Sequence, residues 1–471
     1  MKCATFVVNV LAVVCIWSSG ASALDVFRVE QGVTSSRLPD GRTMSEACGD
    51  NLNHASLTLE VVIEQVLCRD PLTRQAWAES RVFAAQVGVA QAAYLPRIEA
   101  SSAITHGRND TAYDQLDAYS TEGRQRRLEY RLGLSWVLFD FGRREATLHN
   151  ARQLLLAANA TRDNQLQETF LLAAKLYYDT LAAQDSQRAA RQVSALAAEN
   201  LKDASAKYEA GAAALSDRLQ AQTAYTQARL SELRGLGAVR YAQGQIALRM
   251  GLPPDTPIGL TDTLIKSPGI AFVKSIDVLL QQAHEEHPSL IAAKARLEAA
   301  QATVKEQEAA GRPSLSFIAS ASDAQTRQPM EYNGDSRTRD HSVGLQISIP
   351  LFEGFERTYL IRGARARVQA GEAELAEVEQ RIALELWASY QDLTTETQAL
   401  ERTAEWVEQA TQALEVVRGR YRSGVGSMTE LLNASSAYAS AEQQNITALN
   451  SWYLARLRLA ASLGRLGFWT L

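Results

Sequence analysis

From Tyr130 the chain alternates. Tyr130, Leu132, Leu134, Trp136 and Leu138 are apolar or aromatic, and Glu129, Arg131, Gly133, Ser135 and Val137 are interleaved with them. Much later Val343, Leu345, Ile347, Ile349 and Leu351 alternate with Ser342, Gly344, Gln346, Ser348 and Pro350. A period of two predicts strands with one apolar and one polar face, here over about 128–138 and 342–351. A weaker strand precedes each, over Arg97 to Thr105 and Ser314 to Ala321. The segments His106 to Arg126 and Asp323 to Asp340, rich in Asn, Asp, Gly, Ser and Arg, read as long exposed loops joining paired strands.

Elsewhere the period is three and four. Val193, Ala197, Leu201, Ala204 and Tyr208 form one such stripe, and Val407, Ala410, Leu414, Val417 and Tyr421 form another. They lie in proline-free stretches from Gly142 to Tyr208 and from Phe355 to Tyr421, which predict very long helices with coiled-coil-like seams, each ~100 Å if unbroken. Glycines end them at Gly211 and at Gly424/Gly426, and Ser216-Asp217 and Ser427 to Glu430 offer caps for returning helices that run towards Gly251 and Gly464. Shorter helices open the pattern, from about Thr58 to Tyr94 with a break at Asp70-Pro71, and from about Ser275 to Gly311.

The pattern occurs twice. LEVVIEQVLCRDP from Leu59 is answered by IDVLLQQAHEEHP from Ile276, with an unbroken register from Pro71/Pro288 to Pro96/Pro313, and KYEAGAAALSDRLQAQTAY from Lys207 is answered by RYRSGVGSMTELLNASSAY from Arg420. Repeats this long are whole modules rather than solenoid layers. The predicted fold is therefore mostly α with a small β part, a tandem-duplicated helix-strand-strand-helix-helix module. Its halves cover 58–260 and 275–467, joined by a linker at 261–274. Four strands cannot close a barrel, and a sheet with one lipid-type face and open edges calls for further chains.

Met1 to Ala23 carries Lys2, an apolar run from Ala4 to Trp17 and the A-x-A site Ala21-Ser22-Ala23. It reads as a cleaved secretory signal without a lipoprotein cysteine, since Val14 precedes Cys15. An N-terminal extension, 24–57, follows. No later segment offers the ~18 consecutive apolar residues of a membrane helix, so the mature chain is either soluble or a β-barrel component. Cys48 and Cys68 remain after cleavage. An exported compartment permits a disulfide between them, worth about 3 kcal/mol by the chain-entropy relation, although sequence alone does not fix the pairing.

The net charge of −5 comes from basic residues dispersed among acidic ones, which excludes a nucleic-acid footprint. His284 and His287 flank Glu285 and Glu286 in the manner of a metal clamp, but further converging ligands are not apparent, so they read as a solvated helix terminus. Gly235-Leu236-Gly237 lacks both the third glycine and the preceding strand of a dinucleotide loop. With no G-x-S-x-G, H-E-x-x-H or P-loop sequence, nothing points to an enzyme, a cofactor or a metal.

The twice-repeated Y-x-x-G, spacer, acidic residue and L-x-A-x-x-x-Y, together with the duplicated order of prolines, strands and glycine turns from about Leu57 to Leu466, resembles the TolC-like outer-membrane factor family. The resemblance implies a homotrimer, with a twelve-stranded β-barrel in outer-membrane lipid and a long periplasmic α-helical barrel. It would conduct passively when docked to a periplasmic adaptor (membrane fusion) protein and an inner-membrane transporter.

It further implies an adaptor contact at the hairpin tips, Gly211, Ala212, Ala213 and Gly424, Val425, Gly426. A gate link maps onto Asp217 and Tyr421, and a periplasmic constriction onto Glu430 and Asn433. The arginine expected two residues after Gly424 is replaced by Gly426, with Arg420 and Arg422 as candidate substitutes, and Asn433 lacks the family's carboxylate. The other reading of Asp217 and Glu430 is that each merely complements the dipole in a first helical turn.

Two function classes follow. One is an export channel, for type I protein secretion with an ABC transporter, to which CRDPLTRQAWAESR from Cys68, the non-lipidated signal and the lack of a C-terminal extension look more similar, or for small-molecule efflux with a proton-driven pump. The other is a periplasmic coiled-coil scaffold, which the aromatic, alternating strands disfavour.

Overall fold

The computed structural model describes residues 25–33, 56–111, 121–261, 276–327 and 335–464. The expected signal segment, most of the 24–57 extension with Cys48, and nearly all of the 261–274 linker lie outside the described residues. The first half contains α1 (Leu59–Arg69), α2 (Pro71–Ala92), β1 (Arg97–Thr111), β2 (Thr121–Phe139), α3 (Arg143–Glu209) and α4 (Leu215–Arg249). The second contains α5 (Ile276–Glu286), α6 (Pro288–Ala310), β3 (Ser314–Arg327), β4 (Ser336–Ser348), α7 (Glu356–Arg422) and α8 (Met428–Ser462).

The chain divides into two compact units. One comprises residues up to Val33, Arg81–Leu156 and Ala295–Ala373; the other comprises Thr34–Ser80, Ala157–Lys294 and Glu374–Leu471. The first holds a four-stranded antiparallel meander, β1-β2-β3-β4. Its register sets Ile98, Leu134, Ala319 and Val343 side by side, with Trp136, Phe317 and Leu345 in the next apolar row. Directly opposed residues share a face, so one face of the sheet is a continuous apolar surface. It is open to solvent in the single chain: Val343 is 74% exposed and Ile98 65%. The other face carries Glu99, Ser101, Arg131, Ser320 and Ser342; there Glu129 pairs with Arg131 at 2.8 Å and Ser320 bonds Ser342 at 2.8 Å.

The strands are longer than the alternation predicts. His106–Thr111 and Thr121–Arg126 pair with each other, Asp323–Thr326 pairs with β4 and Arg327 with Arg126 of β2, so much of what reads as loop is ladder. The apolar alternation fades there because both faces are polar, yet backbone hydrogen bonding does not need apolar side chains. Conversely β4 stops at Ser348, where Pro350 removes a donor. Each pair of strands hands over to its long helix through a left-handed turn, Phe141-Gly142 in one half and Gly354-Phe355 in the other. Arg144 locks the first of these by donating to Val137 O at 2.7 Å and pairing with Asp140 at 2.8 Å.

In the second unit the core gathers Val62, Ile63 and Val66 of α1, Phe170 and Tyr177 of α3, Ile246 of α4, Leu290 of α6, Leu386 of α7 and Trp452 of α8. Tyr178 stacks on Tyr453 at 4.6 Å, and burial first, then Tyr453, pushes the Tyr178 phenol up to about 12. Small residues let helices approach: a Cβ on Gly235 of α4 would lie 3.3 Å from Gln187 Cα of α3. Among the described residues no helix is long and apolar enough to cross a membrane.

The break before each proline is capped from the side chain. Asp70 Oδ1 accepts from Leu72 N at 2.8 Å, and Oδ2 receives Arg249 Nη1 at 2.8 Å. His287 Nδ1 accepts from Ser289 N at 3.2 Å. His287 is thus not at a solvated terminus: it is 7% exposed, because its ring must turn inwards to cap α6, whereas His284 is exposed. Burial, then the charge of Arg381, holds the His287 imidazole below its ordinary value.

A histidine depressed in the folded state contributes stability that is fully present above the unfolded value of about 6.5 and is lost as pH falls towards the folded value. The melting temperature of the purified protein should therefore drop as pH falls below about 6.5, and His287→Asn, which keeps a capping acceptor but no titration, should flatten that part of the profile. An unchanged slope in the variant would assign it elsewhere.

Candidate functional site

In the second unit the long helices turn back at two short loops. Gly211 and Gly424 adopt φ of +72° and +84°, the left-handed conformation in which glycine terminates helices without a Cβ clash. The chain then folds under itself, with Ala212 N donating to Lys207 O at 2.8 Å and Val425 N to Arg420 O at 3.0 Å. Gly426 lies against its own helix: a Cβ there would be 3.0 Å from Tyr421 N. The turn closes tightly enough to explain glycine where the family resemblance calls for arginine.

The returning helices are capped differently. Ser427 Oγ accepts from Glu430 N at 3.2 Å, half of a capping box. In the other loop Ala214 is the N-cap without a side-chain bond. Ser216 lies inside α4, its hydroxyl turned to Asp217, so only one of the two expected caps forms.

Glu430 and Asn433 are both exposed on α8, one turn apart and so on one face. Arg420 Nη1 approaches Glu430 Oε2 at 3.8 Å with both side chains about half-exposed, an ion pair worth little in water. Asn433 lines a cavity of about 750 Å³ whose walls include Val193, Ala197, Ala224, Ala228 and Ser436.

Tyr421 is buried among Ala204, Ala221, Leu414, Met428 and Leu431. Its hydroxyl has no hydrogen-bond partner. Burial, then the charges of Asp217 and Asp203, push its phenol above the ordinary value, so Asp217 reaches Tyr421 as a charge and not as an acceptor. Lys207 covers the ring at 4.2 Å and donates to Tyr421 O. The repeat equivalent Tyr208 is exposed instead, with Arg218 5.6 Å above it, so the α3 stripe stops one turn earlier than its periodicity implies.

An ion cluster beside this site was not foreseen. Arg418 and Arg422 of α7 both pair with Glu199 of α3, and Arg422 Nε also reaches Asp203 Oδ2 at 3.1 Å. Burial alone would raise the Glu199 carboxyl, but Arg418 and then Arg422 outweigh it and hold it below the usual range. The signal was present in two i,i+4 spacings, acidic at 199/203 and basic at 418/422, each on one helical face. Arg422 is thus engaged with α3, leaving Arg420 as the arginine facing Glu430.

Cys68, on α1, is disulfide-bonded. Cys48, its expected partner, lies outside the described residues. The described residues hold no group of His, Cys, Asp and Glu able to bind a metal.

Sequence comparison places these features among known proteins. The profile of the family described as "Outer membrane efflux protein" matches residues 62–252 and 279–465. Protein CyaE of Bordetella pertussis is 31% identical over 411 residues, covering 87% of this chain and 85% of that protein. The alkaline protease secretion protein AprF of Pseudomonas aeruginosa is 24% identical over 340 residues, covering 70% and 69%. The solved outer-membrane channel OprN superposes with a TM-score of 0.75 over 88% of this chain and 91% of its own, at 21% identity.

Because the Tyr421 hydroxyl is buried without a partner, Tyr421→Phe should leave thermal stability unchanged or raise it by up to about 1 kcal/mol. A loss of that size on denaturation would mean that the hydroxyl does make a bond to Asp217.

Proposed function

The chain belongs to the outer membrane efflux protein family, and from that premise we propose that it is the passive, homotrimeric outer-membrane duct of a type I protein secretion system. It is a transport conduit and not an enzyme, placed in the outer membrane with a large periplasmic helical part. In the proposal three copies join β1 of one chain to β4 of the next, giving a twelve-stranded barrel, while their helices form a periplasmic barrel. A periplasmic adaptor meets the turns at Gly211–Ala213 and Gly424–Gly426, and an inner-membrane ABC transporter supplies the energy.

The observation that carries this reading is the sheet. It has one solvent-open apolar face, and neither β1 nor β4 has a second partner among the described strands. The apolar positions of β2 from Leu128 to Leu138 cover about 33 Å at ~3.3 Å per residue, which projects to about 25 Å for a strand tilted ~40°, the height of a lipid-facing band. At the helical end Phe139, Phe141, Phe352, Phe355 and Tyr359 are all exposed, as an interfacial aromatic girdle requires.

Protein cargo is supported by the relative AprF, an alkaline protease secretion protein. Small-molecule efflux with a proton-driven pump is the second reading, favoured by the family's own description.

At the periplasmic end three Glu430 carboxylates would face one axis, with Asn433 behind them and Asp217 and Tyr421 as the proposed link. The detergent-purified protein should form discrete pores in planar bilayers that a multivalent cation blocks from the periplasmic side. Glu430→Gln should weaken block at least about fivefold, since even one unit-charge contact near 4 Å in water is worth ~1 kcal/mol and the variant removes all three carboxylates. Unchanged block would reduce Glu430 to a helix-dipole partner, and absence of any pore would favour a scaffold.

The proposed Cys48–Cys68 bridge should appear in a non-reduced proteolytic digest as one cross-linked peptide that separates on reduction. A Cys68 peptide joined to another partner would refute it.

A further inference from the structure

The apolar face of the sheet does not simply fade at its hairpin end. Following the register away from the helices, the row Ala100–Leu132–Ala321 ends in His341, the next sets Ser102, Tyr130 and Asp323 beside Arg339, and the next sets Ile104, Leu128 and Gln325 beside Arg337. Then come His106–Arg126–Arg327 and Arg108–Arg124. All of these rows share the face of Leu134 and Val343, because opposed and alternate residues lie on one side of a sheet. Every basic side chain named is exposed.

Six arginines and two histidines therefore stand on the apolar side: His341, Arg339 and Arg337 of β4 flank the last apolar rows of β2, and the other five lie beyond them. Among the described residues the acidic ones of that face are fewer than the basic. Asp323 is shared by two arginines, accepting from Arg337 Nε at 2.9 Å and Arg339 Nε at 3.4 Å. One carboxylate thus orients two guanidinium groups. Asp110 and Glu122 occupy the following row. The opposite face differs, since Arg127 and Arg131 there share Glu129 between them.

A surface that is apolar below and basic above, on one continuous face, matches an amphiphile with an anionic head. A soluble anion or an acidic protein would use the charges but leave the apolar rows uncovered. Guanidinium groups bind phosphate through paired, charge-assisted hydrogen bonds, and basic clusters beside a membrane face select phosphorylated headgroups.

We propose that this outward collar, centred on Arg124, Arg126, Arg327, Arg337 and Arg339, is a binding site for the phosphate-bearing headgroups of outer-leaflet glycolipid. The inference rests on the outer-membrane placement given above. It adds a ligand for the outside of the barrel that is independent of cargo and of the periplasmic partners.

The test measures binding of bis-phosphorylated lipid A, and of the same lipid without phosphates, to the detergent-solubilised full-length channel by native mass spectrometry. The wild type should retain the phosphorylated form in preference to the other. Arg124→Gln/Arg126→Gln/Arg327→Gln should lose roughly 10- to 100-fold in affinity, while Arg127→Gln, on the opposite face, should lose little. Inorganic phosphate at the same concentration should not compete; competition would point to a generic anion site and overturn the lipid assignment.

Equal binding of the dephosphorylated lipid, or unaltered binding by the triple variant, would also overturn it. Bilayer conductance of the triple variant serves as the folding control, and the single variants Arg124→Gln and Arg327→Gln, each weakening binding several-fold, replace it if it does not assemble. A wild type that binds lipid A but forms no pore would instead remove the channel reading, so the two failures are distinguishable.

Discussion

Unpaired backbone at the two margins of a small sheet is the constraint on which the molecule turns. Within hydrocarbon each unsatisfied N–H or C=O costs several kcal/mol, and a sheet escapes that cost only by closing on itself. Here the meander runs β1-β2-β3-β4, so its open margins belong to different halves of the chain. In the proposed trimer such a chain would offer one complementary margin at each side and repeat around a ring. The apolar face and the polar face would then become outside and inside without further specification, because side-chain direction follows from the pleat.

The helical part obeys a different economy. Alanine recurs at its buried positions, as at Ala173, Ala204, Ala221, Ala364, Ala410 and Ala441, which lets helices lie close, and polar groups on facing helices bond each other: Thr73 to Thr169 at 3.3 Å, Asn450 to Asp179 at 2.9 Å. Close packing by small side chains leaves few large knobs to lock one arrangement. Large buried side chains gather in two places: the core around Phe170, Tyr177, Leu386 and Trp452, and the turns, where Tyr421, Met428 and Leu431 fill a small core and ion pairs surround it.

Much of this was legible in the sequence because the repeats reinforced weak local signals. Helix limits agree within one or two residues where proline or glycine punctuates them, as at Pro71, Pro96 and Gly211. The distal strand ends were missed, since Arg124, Arg126, Arg337 and Arg339 carry a period of two in charge rather than in hydropathy. Their assembly into one surface depends on register between strands remote in sequence, which no single segment encodes. At the turns the residue types were readable but not their environments: Tyr208 and Tyr421 are identical letters at equivalent places, one exposed and one buried, because burial is set by what α8 and Lys207 bring to the second alone.

The two proline junctions show how far the halves have parted. Asp70 carries a charge that is answered by Arg249, two residues before Gly251; at the corresponding place before Gly464 stands Ser462, and the junction there is capped by uncharged His287. Were recombination between the two halves to copy Asp70 over His287, a buried anion would face a serine, and the reverse exchange would leave Arg249 without its acid. The duplication has become a ratchet: compensating changes on opposite sides of the core now penalise any event that would make the halves alike again, which preserves the asymmetry that lets one half specialise.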